Sequence, residues 1–465
     1  MNYALFAQDS WRLTPHLTIN YGLRYEYSTY TQPPLNPDYP QTANLNQPGN
    51  NFAPRIGAAY SFNQNKTVVR AGYGIFYARL PSASVIRLQQ RNGVIQKTGT
   101  LNANNPAQLA AGPTFPFRLT GLAGSVGLTN VTYAAPDLAT PYTEQADLSV
   151  EHQFGASTAL SVSYMHSRGY QFISREDLNL GPATGTATYA IQNTAGVQTG
   201  TYTTSTYLAA NKLDPRYASV IYLSNRGRLW YDGMAVSLRH RASKWMTGTL
   251  AYTWSHSIDQ GQGGASSNIY FTDPPASTYN GNYQADKGSS ALDQRQRLVV
   301  SGILTPPPMN LGSKYVNMLA NGWQLSLIET ATSPQYVDPI LIVSSGLSGA
   351  GLASGTTING MVTPFGAPGR VPFLPRSSIP VDTTNHLDAR ITKTFAIRES
   401  MNLALSFDAF NVFNTISNTS VVQNTYFASG SVIKAGVGVG TGTASSGFPD
   451  GTNARRAQVS ARFTF

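Results

Sequence analysis

The sequence predicts an all-β chain arranged as a transmembrane, antiparallel, up-and-down β-barrel. Three observations predict it. Apolar and polar residues alternate with period two along roughly thirteen segments. Most of these run about 10–15 residues, long beside the ~5–6 of soluble sheets and enough for a tilted strand to cross a bilayer. The connections alternate between a few residues and several tens, whereas connections in soluble domains are mostly ~4–6 residues. Membrane barrels place short turns on one side and long loops on the other.

The segments fall at 2–13, 16–27, 52–62, 66–78, 142–154, 157–168, 229–241, 243–256, 295–304, 321–332, 385–397, 399–413 and 455–465. The first is mixed on both faces, so its outward side is not legible. The second is clean: Leu17, Ile19, Tyr21, Leu23, Tyr25 and Tyr27 share one face, with Thr18, Asn20, Gly22, Arg24 and Glu26 between them. Near the end, Leu403, Leu405, Phe407 and Ala409 alternate with Asn402, Ser406 and Asp408. The last segment sets Ala457, Val459, Ala461, Phe463 and Phe465 against Arg456, Gln458, Ser460, Arg462 and Thr464.

Short connections lie at or beside Thr14-Pro15, Asn63–Asn65, Gly155-Ala156, Ala242 and Glu399. Long ones, rich in Gly, Ser, Thr, Asn and Pro, lie near 28–51, 79–141, 169–228, 257–294, 333–384 and 414–454. Within the last, Lys434–Gly447 is close to low complexity, and Gly436–Gly442 reads as a flexible loop tip. The connection 305–320, with Pro306-Pro307-Pro308, takes a short-turn position at medium length and is the one irregularity. Aromatic residues recur at segment ends. Trp11, Tyr25, Tyr27, Trp245, Trp254 and Trp323 are candidates for interfacial girdles, where amphipathic rings sit at headgroup level.

Composition agrees. Charged residues make up 12% of 465, about half the share usual in soluble chains, and hydrophobic residues 41%. The 11% aromatic content is wrong for disorder, and no apolar run approaches the ~18 residues of a spanning helix. A soluble sandwich or propeller would also alternate, but no internal repeat of ~40–50 residues is present. Length alone suggests about three soluble domains, with no composition break to separate them. Cysteine is absent, which excludes a disulfide framework and thiolate chemistry. The residues after Met1 carry neither a basic region nor an apolar one, so no signal peptide is expected in this chain.

Several segments resemble the barrel of TonB-dependent outer-membrane receptors. Tyr3-Ala-Leu-Phe-Ala-Gln-Asp-Ser-Trp-Arg-Leu-Thr-Pro15 followed by Leu17–Tyr27 is similar to a hairpin of that family. Asn51–Tyr60 with Val68–Tyr77 looks like the next hairpin, and Asp408-Ala-Phe-Asn-Val-Phe-Asn414 like its penultimate strand. Large Gly/Asn-rich loops place the likeness nearest the Oar-like subgroup. The resemblance covers the strands throughout 1–465 and not the loops. Its motifs are moderately specific together and weak singly. The terminal pattern Val459, Ala461, Phe463, Phe465 resembles the signal read by the barrel assembly machinery, and it also fits a last lipid-facing strand.

The resemblance implies a barrel of about 22 strands with an N-terminal plug inside. With short turns periplasmic, thirteen strands ending in the periplasm would begin outside the cell, whereas single-chain barrels have even counts. The expectation is that 1–465 is the C-terminal part of one barrel, with plug, signal peptide and about nine early strands absent. By that resemblance the whole receptor, a monomer, takes up a large or scarce solute when TonB pulls on the plug. Siderophore, oligosaccharide and peptide all remain open as the solute. A passive porin-like channel is the alternative, followed by a secretion or adhesion factor or an outer-membrane hydrolase.

Enzyme chemistry is not expected. The six His (16, 152, 166, 240, 256 and 386) show no metal-binding spacing, and no Gly-x-Ser-x-Gly elbow occurs. No cofactor or metal is implied. Net charge is +10, with no helix or RNA-binding motif concentrating it, so nucleic acid is not expected as a partner. Arg226, Arg228, Arg239, Arg295, Arg297, Arg456 and Arg462 are the candidate lumen or anion contacts. Two readings stay open for them: partners of acidic groups on the plug or neighbouring strands, or contacts to an anionic solute or to lipopolysaccharide phosphate.

Overall fold

The computed structural model describes residues 1–96, 128–179, 182–183, 185–206, 212–243, 245–260, 282–343, 369–398, 401–445 and 454–465. Thirteen long strands follow one another in a single antiparallel sheet in chain order. They are β1 (Asn2–Arg12), β2 (Leu17–Ser28), β3 (Asn51–Phe62), β4 (Thr67–Tyr77) and β5 (Tyr142–Phe154). Then come β6 (Thr158–Asp177), β7 (Tyr217–Ser243), β8 (Met246–Asp259) and β9 (Gln296–Leu304). The wall finishes with β10 (Trp323–Thr332), β11 (Thr384–Arg398), β12 (Met401–Phe410) and β13 (Arg456–Thr464). Among the described residues β1 and β13 each pair with one neighbour in the wall.

Register divides the wall into two faces, because directly opposed residues of antiparallel strands share a side. Leu5 opposes Tyr25 and Tyr25 opposes Phe52, while Trp11 opposes Ile19. That settles the mixed first segment: Tyr3, Leu5, Ala7, Asp9 and Trp11 lie on the apolar side. The same side runs through Val162, Val236, Tyr252 and Leu298, and on through Ile391, Phe407 and Val459. This is the face that meets lipid tails, and the polar face between these positions lines the lumen. On the polar face Gly22 opposes Gln8. A Cβ there would lie 2.9 Å from the Ala7 carbonyl oxygen, so the close approach of the two strands demands glycine.

The short turns carry their own chemistry. Thr14 Oγ1 accepts from the backbone N–H of Leu17 at 2.9 Å, closing the β1–β2 turn around Pro15. Asn63, Gln64 and Asn65 all hold positive φ, as does Gly155. Asn is the non-glycine residue best suited to that region. The β7–β8 turn falls between Ser243 and Met246, so Ala242 belongs to β7. Glu399 lies outside the described residues.

The largest departures from sequence expectation are in β6 and β7. Both continue well past the alternating segments 157–168 and 229–241, to Asp177 and back to Tyr217. Above the membrane neither face meets lipid, so the alternation stops, and register shifts occur between Ser224 and Leu229. Loops pack on this extension instead. Leu45, Leu80, Leu88 and Leu138 bury against Ile173 and Leu223. A short strand, Thr129–Ala134, adds parallel to Tyr217–Leu223. Helix α1 (Ser82–Gln90) contributes to the same cluster.

A second, six-stranded sheet forms from three other loops. It runs through Gly369–Arg370, Ile340–Val343, Asn424–Ser429, Val432–Ala435, Gly185–Gln192 and Gln198–Thr206. Tyr189, Leu341, Val371, Ala428 and Ile433 form its core, Ile433 being fully buried. The stretch read as near low complexity therefore begins within a packed strand, and Val439 packs against Ile379, Val381 and Val421. Glycine at every second position from 436 to 442 hid these few apolar anchors from a compositional reading.

Candidate functional site

The long-loop end of the wall and the polar face below it form the candidate site. Charge anchors the loops to the rim. Arg376 donates to Asp259 at the top of β8 (2.7 Å) and lies 3.7 Å from Asp338. It also donates to the Asp286 carbonyl oxygen at 2.9 Å. Asp259 is 0% exposed and Arg376 5%. Beside it Arg370 pairs with Asp286 at 3.0 Å, and Arg295 with Asp293 at 2.8 Å. The segments around 286–295 and 369–377 are thereby fastened to one another and to the wall.

A second anchor holds the loop after β2. Arg216 bridges Asp38 (2.6 Å) and Asp214 (2.8 Å), and Tyr39 donates to Asp214 at 3.0 Å. Tyr217 donates to Asp38 at 2.9 Å. The hydrogen bond from Arg216 holds the Asp214 carboxyl down at about 2. Burial, with Asp214 beside it, pushes the Tyr39 phenol up to about 12. A depressed carboxyl stabilises the docked loop fully above its unfolded value of about 3.9 and loses that contribution as pH falls through the folded value. Pepsin cleavage within 30–45, measured against a free peptide of the same sequence, should therefore rise sharply between pH 4 and pH 2. Asp214→Asn should remove the step, and equal cleavage at both pH values would refute the anchor.

The structure separates the seven sequence-selected arginines into two groups. Arg226, Arg228 and Arg295 belong to the rim. Arg226 lies 3.4 Å from Glu176, and Arg228 donates to the carbonyl oxygens of Asn225 and Gly227. The Arg228 guanidinium also stands 5.7 Å over Tyr170, beside the stacked ring of Tyr142. Arg239, Arg297, Arg456 and Arg462 lie on the polar face, by register opposite Thr249, Thr253, Phe410 and Ala404. Arg297 and Arg456 are near the loop end, Arg239 and Arg462 near the turn end, so they form no single cluster. Arg456 lies over Phe410 at 5.4 Å. Arg239, Arg297 and Arg462 make no ion pair among the described residues.

The polar-face arginines that do have carboxylate partners were not singled out by sequence. Arg24 pairs with Glu26 (2.5 Å), Arg70 with Glu151 (3.1 Å) and Arg390 with Asp408. A cavity of about 780 Å³ opens beside β1–β3, lined by Gln8, Asn20, Arg24 and Arg55, and none of the seven reaches it. Nothing in the sequence could have flagged Arg376 with Asp259, which are 117 positions apart. Among the described residues no group of three or more His, Asp or Glu could hold a metal ion.

The aromatic candidates occupy two levels. Trp11, Trp245 and Trp323 are at the short-turn end, and Tyr25, Tyr27 and Trp254 toward the loop end, with Trp11, Tyr25, Tyr27, Trp254 and Trp323 on the lipid side by register. Val459, Ala461 and Phe463 share that side, opposite Phe407, Leu405 and Leu403, and Phe463 stacks on Phe465.

A family model described as an outer membrane beta barrel domain matches residues 1–458. A search of curated proteins finds no match. The outer membrane transporter YddB from Escherichia coli superposes over 100% of this chain and 45% of its own, with 13% identity and a TM-score of 0.52. FpvA of P. aeruginosa covers 100% of this chain and 38% of its own (10% identity, TM-score 0.49). The FrpB iron transporter from Neisseria meningitidis covers 90% and 41% (10% identity, TM-score 0.45). The chain thus spans less than half the length of these structures, and the likeness to YddB is one of fold. With its lipid-facing strand side, its polar lumen side and a match over nearly its whole length, the chain belongs to the outer membrane β-barrel domain family and resides in the bacterial outer membrane.

Proposed function

We propose that residues 1–465 are the C-terminal part of a receptor barrel that imports a large or scarce solute, energised by TonB through a plug. One observation supports this reading: among the described residues Arg239, Arg297 and Arg462 face the lumen without carboxylate partners, while Arg24, Arg70 and Arg390 on the same face have them. Guanidinium groups in a confined lumen are stabilised by acidic partners, and a plug seated against the wall supplies them. Further strands would add to the single-sided edges of β1 and β13. The solute, a siderophore complex, an oligosaccharide or a peptide, would be selected by the anchored loops. Lipopolysaccharide surrounds the loop end, and the barrel assembly machinery reads Val459, Ala461, Phe463 and Phe465. The assembled receptor works as a monomer.

Planar-bilayer recording of the purified full-length protein separates this from a passive channel. A plugged receptor should stay silent and bind the C-terminal domain of TonB. Steady ion conductance with no such binding would establish the porin reading instead.

A further inference from the structure

The connection between β9 and β10 is the irregular member of the short-turn set, and its structure gives it a use. It contains a short helix, α2 (Lys314–Ala320). Two side chains from the wall hold the C-terminal end of α2. Trp323 Nε1 donates to the Leu319 carbonyl oxygen at 2.9 Å. Lys393 Nζ donates to the carbonyl oxygens of Met318 (2.6 Å) and Asn321.

Trp323 and Lys393 oppose each other across β10 and β11, in step with the opposed pair Leu325 and Ile391. All four are on the lipid side, so α2 hangs outside the wall and not beneath the lumen. The Lys393 ammonium is buried between Trp323 (5.3 Å) and Phe395 (5.0 Å), and the helix carbonyls supply the acceptors that this charge requires.

Several polar groups of the segment are satisfied within it. Asn317 Oδ1 accepts from the Leu311 N–H at 2.7 Å. Asn321 accepts from the Met309 N–H at 2.7 Å and donates to the Met309 carbonyl oxygen at 2.8 Å. What remains outside is apolar: Tyr315 is 75% exposed and Leu319 61%, with Met309, Leu311, Val316 and Met318 all near half. Lys314 is the one charged residue between 305 and 322. Water is a poor neighbour for such a surface, whereas backbone already hydrogen-bonded internally is what an apolar phase tolerates.

We propose that the 309–322 segment is a membrane-surface anchor that dips α2 into the periplasmic leaflet of the outer membrane. Its occupant is phospholipid, because the patch continues the lipid-facing wall and lies level with Trp245, whose carbonyl oxygen accepts from the Thr305 N–H at 2.6 Å. Tyr315, Val316, Met318 and Leu319 would enter the acyl boundary, and Lys314 would stay at the phosphates.

Residues 1–465 contain no cysteine, so single labels need only the replacement by serine of any cysteine elsewhere in the full protein. Tyr315→Cys, Leu319→Cys and the turn control Gln64→Cys, each carrying an environment-sensitive fluorophore, would be reconstituted in the full protein. The vesicles would contain phosphatidylethanolamine, phosphatidylglycerol and nitroxide-labelled phospholipid. Lipid nitroxide should quench positions 315 and 319 at least about threefold more than position 64, and a water-soluble quencher should show the reverse order. Equal quenching at all three positions would overturn the anchor. So would shielding of 315 and 319 that arises only when periplasmic protein is added. Should Leu319→Cys fail to fold, Tyr315→Cys reads the same contact from the most exposed apolar side chain of the helix.

Discussion

Replacing Arg376 with alanine is expected to release the mouth segments 286–295 and 369–377 while leaving the strand wall intact. Asp259 is fully buried, and Arg376 pairs with it at 2.7 Å. Removing one member of a buried pair costs about 3–5 kcal/mol. That corresponds to faster amide exchange by about a hundredfold or more in the segments the pair holds. The Ser377 N–H, which donates to Asp338 at 2.7 Å, and the Ser290 N–H, which donates to the Ser257 carbonyl oxygen at 2.8 Å, are the reporters. Heat-modifiable migration of the wall should not change. Arg376→Met combined with Asp259→Leu should recover much of the protection, since an apolar pair of similar volume replaces the buried ion pair without its desolvation cost. Unchanged exchange in Arg376→Ala would mean that the pair contributes nothing to loop order.

Deleting Phe463–Phe465 is expected to abolish assembly in the outer membrane. The effect would not stem from lost stability. Phe465 is 91% exposed and lies beyond the last ladder pair, Asn402 with Thr464, so its removal exposes little new surface. Phe463 is half exposed, stacks on Phe465 and opposes Leu403 on the lipid side. Refolding of purified protein into detergent should therefore survive the deletion, while cells accumulate no heat-modifiable folded form. Normal assembly in cells would refute the role of the terminal aromatics as a recognition signal. Parallel failure in detergent would make them a structural element instead.

Legibility tracked the solvent each residue meets. Leu17–Tyr27 could be read directly because lipid on one side and water on the other impose alternation residue by residue. The same logic failed for Asn2–Leu13, where Asp9 stands on the apolar side and Phe6 on the polar one. There only the register against β2 fixes the faces. It failed again beyond Arg168 and before Leu229, because water or packed loop surrounds both faces of the β6–β7 extension. Arginine residues were countable in sequence, but their partners were not. Arg390 finds Asp408 across one strand pair, whereas Arg239 has no carboxylate among the described residues.

By itself, then, the sequence determined the wall: thirteen strands among the described residues, their order and the two solvents they separate. These follow from a period of two residues, a local property that each strand carries alone. The tertiary structure decided what covers and flanks that wall. The Arg376–Asp259 clasp, the loop sheet around Ile433 and the lipid-side perch of α2 all join residues distant in sequence. No periodicity records which distant partner a loop will meet, because loop packing is chosen by non-local burial and charge pairing rather than by the alternation of solvents.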